Sequence, residues 1–117
     1  MSISGCQCSY LKVSLANEPL AKQSKRQGTY ELSEIINGKP SWKSGTKGIW
    51  YNHRYNQWIF GKTSNIGTNY GVIFSFANTD CPQQVKASGN MWKFWDGSEW
   101  QEANLNDINF QCASKSE

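Results

Sequence analysis

Apolar and polar residues alternate along most of this chain with a period of two, the period of a strand that buries one face. Leu11, Val13 and Leu15 alternate with Lys12 and Ser14, and Tyr30 and Leu32 alternate with Thr29 and Glu31. Ile35-Ile36 then runs into Asn37-Gly38, a pair suited to a type I′ hairpin because both central positions need positive φ. Trp42 lies on the returning arm. Pro40 within that arm predicts an edge strand, since proline has no N–H for a ladder.

A second hairpin pairs Ile49-Trp50-Tyr51-Asn52 with Gln57-Trp58-Ile59-Phe60 around His53 to Asn56. One face then carries Ile49, Tyr51, Trp58 and Phe60, and the opposite face Trp50 and Ile59. Both faces are apolar, so this hairpin is sandwiched centrally or exposes aromatics on one side. Val72, Phe74 and Phe76 share a face further on. In the run from Met91 to Glu102, the Asp96-Gly97 turn places Lys93 opposite Trp100 with Trp95 on the same face; Trp92 and Phe94 take the other. Ile108, Phe110 and Cys112 alternate with Asp107, Asn109 and Gln111 as a last strand. No segment of about ten residues has a helix period. The pattern predicts an all-β fold: one small antiparallel β-sandwich or barrel of about eight short strands.

The length of 117 residues fits one domain. An N-terminal strand and two cysteines occupy 1–27, an aromatic-rich part 28–112, and a flexible tail 113–117. Residues 1–15 lack the apolar run of a signal peptide, so Met1-Ser2 reads as a start placed on a mature domain. No stretch is long and apolar enough to span a membrane. No Asn stands in an N-x-S/T sequon. Cysteines stand at 6, 8, 81 and 112. Cys6 and Cys8 are too close to bond each other without strain. Two disulfides are therefore expected, Cys6 or Cys8 with Cys112 and the other with Cys81. The spacing lacks the paired C-x-x-C knuckles of a zinc site. Disulfides in turn predict an oxidising, extracellular setting.

Catalytic signatures are missing. The single histidine, His53, falls in a hairpin turn, and G-x-S-x-G, H-E-x-x-H and phosphate-cradling glycine loops do not occur. The carboxylate pairs Asp96 with Glu99 and Glu31 with Glu34 are spaced as surface residues, not as a pair set across a cleft. Asp80, Asp96 and Asp107 are too dispersed for a calcium loop. No catalytic residue, metal or cofactor is expected.

Aromatic residues are in surplus. Six Trp, five Tyr and five Phe exceed the roughly eight large rings that a core of this size takes up. Trp and Tyr faces stack on sugar rings while neighbouring polar groups bond the hydroxyls. The candidate ligand-binding set is Trp50, Trp95, Trp100, Lys93, Tyr55 and Asn52, with Gln57 nearby. The same tryptophans also suit a second sandwich layer, or an interface with another extracellular protein. Nucleic acid is disfavoured by the disulfides and by a net charge of only +3. The densest basic run, Lys22, Lys25 and Arg26, is a solvated loop or a site for sulfated or phosphorylated polyanions.

The run Gly28-Thr29-Tyr30, Asn37-Gly38-Lys39-Pro40-Ser41-Trp42, Trp50-Tyr51, Trp58-Ile59-Phe60-Gly61, Cys81-Pro82, Trp92, Asp96-Gly97, Trp100 and Cys112 keeps a characteristic order and spacing. Over about residues 28 to 112 it resembles a small cysteine-linked module of extracellular, often multidomain, proteins of invertebrates and protists. The resemblance implies an extracellular, non-catalytic role and assigns no binding residue.

Overall fold

In the computed structural model, which describes residues 8–113, nine antiparallel strands form one continuous sheet. They are β1 Tyr10–Leu15, β2 Gly28–Ile36, β3 Lys39–Ser44, β4 Lys47–Asn52, β5 Gln57–Lys62, β6 Ile73–Ser75, β7 Lys93–Trp95, β8 Trp100–Glu102 and β9 Ile108–Ala113. Each strand from β1 to β8 pairs with the next, and β9 returns to pair with β1. One short helix, α1 at Asn17–Gln23, joins β1 to β2 together with a 3₁₀ turn at Ser24–Arg26. The all-β antiparallel expectation holds. The architecture is a single curled sheet, not a sandwich, and the described strands number nine, not about eight.

The curl follows from chain length. Nine flat strands would hold the edge strands β8 and β9 about 38 Å apart. Yet residues 103–107 alone connect them, a reach of about 20 Å. The sheet must roll until its edges approach. It cannot close by pairing them, because eight successive antiparallel reversals leave β8 and β9 running in the same direction. A parallel pair needs a crossover of about a dozen residues or more. The result is an open barrel with a seam.

Side chains fill that seam. Trp92 meets Phe110 of β9 at 5.5 Å between ring centroids, and Phe60 of β5 packs on both at 5.6 and 5.9 Å. Val85, in the segment after the 3₁₀ turn Pro82–Gln84, is fully buried. Helix α1 packs its buried Pro19 and partly buried Leu20 on the same core, and Gln23 Nε2 donates to the Trp95 carbonyl at 2.6 Å. Pro19 sits in the first turn of α1, where a missing N–H costs nothing.

The β4–β5 register matches the sequence pattern: Tyr51 faces Trp58 and Ile49 faces Phe60 in the interior. Trp42 packs beside Trp58 and donates its indole N–H to the Cys8 carbonyl at 3.0 Å. Pro40 departs from its expected edge position, since β3 lies between β2 and β4. The β4 ladder starts only at Trp42, so the proline pairs with Ile35 of β2 and lies outside the β3–β4 ladder. Cys8 bonds Cys112, with Cα atoms 5.2 Å apart, which settles one of the open pairings. The expected partner of Cys81, Cys6, lies outside the described residues, as do 114–117. Ala113, expected in the tail, is the last residue of β9. Among the described residues no helix is long and apolar enough to cross a membrane.

Cys8–Cys112 spans 104 residues and ties edge strand β9 to the start of β1. Replacing both cysteines with serine should cost about 4–5 kcal/mol on the chain-entropy model. Urea unfolding monitored by tryptophan fluorescence measures that loss, and an unchanged midpoint would show that the bridge does not constrain the unfolded chain.

Candidate functional site

Strands β6, β7 and β8 form the last third of the sheet before the seam, and alternation decides what each shows outward. On β7, Phe94 points into the core while Lys93 and Trp95 face out. On β8, Trp100 and Glu102 are exposed. The register pairs Trp95 with Trp100 and Lys93 with Glu102, a correction of two residues to the expected facing of Lys93 with Trp100. The loop spans four residues, not two. Asp96 Oδ1 accepts the backbone N–H groups of Ser98 and Glu99, both at 2.8 Å, and the Asp96 N–H donates to the Glu99 carbonyl at 3.1 Å. Gly97 takes the left-handed conformation at φ 106° that this wider turn needs. A shift of two leaves every side chain on its expected face.

Two rings that the sequence reading did not assign to the site complete it. Phe74 and Phe76 face outward while Ile73 and Ser75 turn into the barrel. A Ser–Phe alternation ordinarily puts phenylalanine inside. Here Ser75 stands directly opposite Trp58 in the interior, where only a small side chain fits beside the indole. Its hydroxyl donates to the Met91 carbonyl at 2.6 Å. The outward rings form a chain of edge-to-face contacts: Trp95 to Trp100 at 5.4 Å, Trp100 to Phe74 at 4.7 Å, and Phe74 to Phe76 at 5.1 Å. Phe76 is 56% exposed, Trp100 42% and Met91 37%. Lys93 and Glu102 are exposed on the same face as the Trp95–Trp100 pair, and among the described residues neither closes an ion pair.

The remaining candidates lie elsewhere. Trp50 is not at the surface: it is fully buried on the outer side of β4, beside Ile59, beneath the segment 63–72. Its indole N–H donates to the Thr68 carbonyl at 2.9 Å. Gly61 and Gly71 permit this cover, since a Cβ on Gly61 would stand 2.8 Å from Trp50 and one on Gly71 would collide with Ile59 and the Phe60 carbonyl. Asn52 is buried and accepts the Tyr55 N–H at 3.1 Å, so it builds the β4–β5 turn. Gln57 is buried at the other end of that turn. Tyr55 is exposed there, with the Arg54 guanidinium 5.6 Å from its ring centroid, and His53 is exposed beside it. Of the aromatic set, the fold brings together Trp95, Trp100 and Lys93. Of the basic run, Lys25 and Arg26 border a cavity at one end of the barrel, and Lys22 lies apart on α1.

Compared with protein-family models, curated proteins and solved structures, the chain matches none.

Trp50→Ala should destabilise the fold by about 3–5 kcal/mol, as for a buried tryptophan, measured by urea unfolding; a loss under about 1 kcal/mol would mean that the 63–72 cover is not packed as described. The hydrogen bonds from Glu99, Ser98 and Gln101 hold the Asp96 carboxyl below its ordinary value. A depressed folded-state value makes the carboxylate stabilising above the normal aspartate range, and that contribution fades as pH falls through the lowered value. Carboxyl NMR titration should place Asp96 below the ordinary aspartate value, and Asp96→Asn should flatten the acid limb of the melting-temperature profile.

Proposed function

We propose that this domain is a secreted, non-catalytic recognition module that binds saccharide on the outward face of β6–β8. The observation that carries the reading is the row Phe76, Phe74, Trp100 and Trp95, which among the described residues stays exposed or half-exposed while Trp50 on the neighbouring outer face is buried. Rings held on strands lose little freedom on binding, which favours contact with a flat, weakly polar sugar face. Lys93 and Glu102 set a donor and an acceptor among the rings for hydroxyls. The Cys8–Cys112 bridge suits an oxidising compartment, and the resemblance of residues 28 to 112 to an extracellular module points the same way.

A glycan array followed by titration tests the proposal. Trp100→Ala should weaken saccharide binding at least tenfold while the domain stays folded with a modestly lower urea midpoint, because Trp100 is 42% exposed but also packs on Phe74 and Trp95. Tyr55→Ala, in the β4–β5 turn, should leave affinity intact. A blank array would sink the saccharide assignment. The same face would then suit an extracellular protein partner, a reading favoured by the exposed Met91, whose carbonyl accepts the hydroxyl of Ser75 next to Phe76 in the chain.

A further inference from the structure

A concave cavity of about 650 Å³ opens at the end of the barrel where β4 begins and β5 stops. Alternation sends Ile49 and Tyr51 of β4, and Trp58 and Phe60 of β5, into the core. The next position on each inner column is a lysine, Lys47 and Lys62. Lys25 and Arg26, from the 3₁₀ turn after α1, complete a wall of four cations. Among the described residues no carboxylate lines this cavity, and the ion pair Lys39 with Asp80 lies outside it.

Three features set this mouth apart from a solvated basic surface. Lys47 and Lys62 are direct cross-strand partners, and like charges so placed repel. In a chain whose local choices otherwise agree with its fold, such a conflict marks a functional position. Among the described residues the Arg26 Nε is shielded from solvent with no hydrogen-bond partner, while one terminal nitrogen donates weakly to the Gly61 carbonyl at 3.3 Å. Burial lowers the Arg26 pKa, yet a guanidinium stays charged. The backbone that carries the cations is also fixed in advance: Lys47 Nζ donates to the Lys25 carbonyl at 2.8 Å, and the Tyr30 hydroxyl to the Arg26 carbonyl at 2.7 Å.

We propose that this mouth binds a tetrahedral oxyanion, a sulfate or phosphate group carried as an ester on a larger ligand. An anion between Lys47 and Lys62 relieves their repulsion. It also gives the Arg26 guanidinium, which lines the cavity, a charged acceptor stronger than the Gly61 carbonyl at 3.3 Å, and the hydroxyls of Thr46, Thr63 and Ser64 add neutral donors around it. The volume falls within the roughly 300–1,000 Å³ of small-molecule sites and exceeds what a bare ion fills. The site is independent of the aromatic row, which faces outward from β6–β8.

The test is an amide NMR titration of the intact domain at constant ionic strength with sodium sulfate, sodium phosphate, a sulfated disaccharide and a sugar phosphate. Saturable shifts are expected at Lys25, Arg26, Lys47 and Lys62 to Ser64. The ester that binds at least tenfold tighter than its inorganic ion identifies the source of the anion. Lys62→Gln, at an exposed position, should weaken binding at least tenfold and raise the melting temperature slightly in chloride alone. Lys25→Gln should weaken binding without that rise, and Lys12→Gln, at an exposed position on β1 outside the cavity, should change neither reading. Absence of saturable shifts with all four anions would overturn the proposal. So would equal affinity in wild type and Lys62→Gln, or shifts spread over Lys12, Lys22 and Lys86.

Discussion

The constraint on which the rest of the structure depends is the parity of the sheet. With nine strands joined antiparallel, the two edges run in the same direction, and the short 103–107 link can draw them together without letting them pair. The barrel must therefore be finished by side chains. This accounts for the heavy aromatic content of the interior, where Phe60, Trp92 and Phe110 meet across the opening. It also accounts for the position of the bridge. Strand β9 is an edge with a partner on one side only, and Cys8–Cys112 ties it to the chain leading into β1.

The same economy distributes the remaining rings. Eight of the sixteen aromatics are fully inside: Tyr30, Trp42, Trp50, Tyr51, Trp58, Phe60, Trp92 and Phe94. Outside, the fate of a ring depends on what crosses it. The 63–72 segment crosses the outer face of β4 and β5, admitted by Gly61 and Gly71, and removes Trp50 and Ile59 from water. Among the described residues no corresponding segment buries Phe74, Phe76, Trp95 and Trp100, whose mutual edge-to-face contacts restrain them while leaving area exposed.

Inner and outer faces thus carry two kinds of surface on one sheet. The outward alternation of β6–β8 displays rings, and the inward alternation of β4 and β5 ends at the mouth in Lys47 and Lys62. Neither feature is needed for the core. An uncovered ring row leaves apolar area in water, and facing lysines oppose the pairing that holds them.

Much of this was legible in the residues. The period of two determined the strands, the Tyr51–Trp58 hairpin and its two faces, and the sides taken by Trp92 and Trp95, because a strand's pleat is a local property. Cysteine spacing narrowed the bridges to two alternatives. Which face looked inward at Phe74, which loop lay over Trp50, and that Lys47 and Lys62 would meet Lys25 and Arg26 were decided by the fold alone. Alternation sorts side chains into two sides, but inside and outside exist only once the sheet has curled and distant segments have covered it.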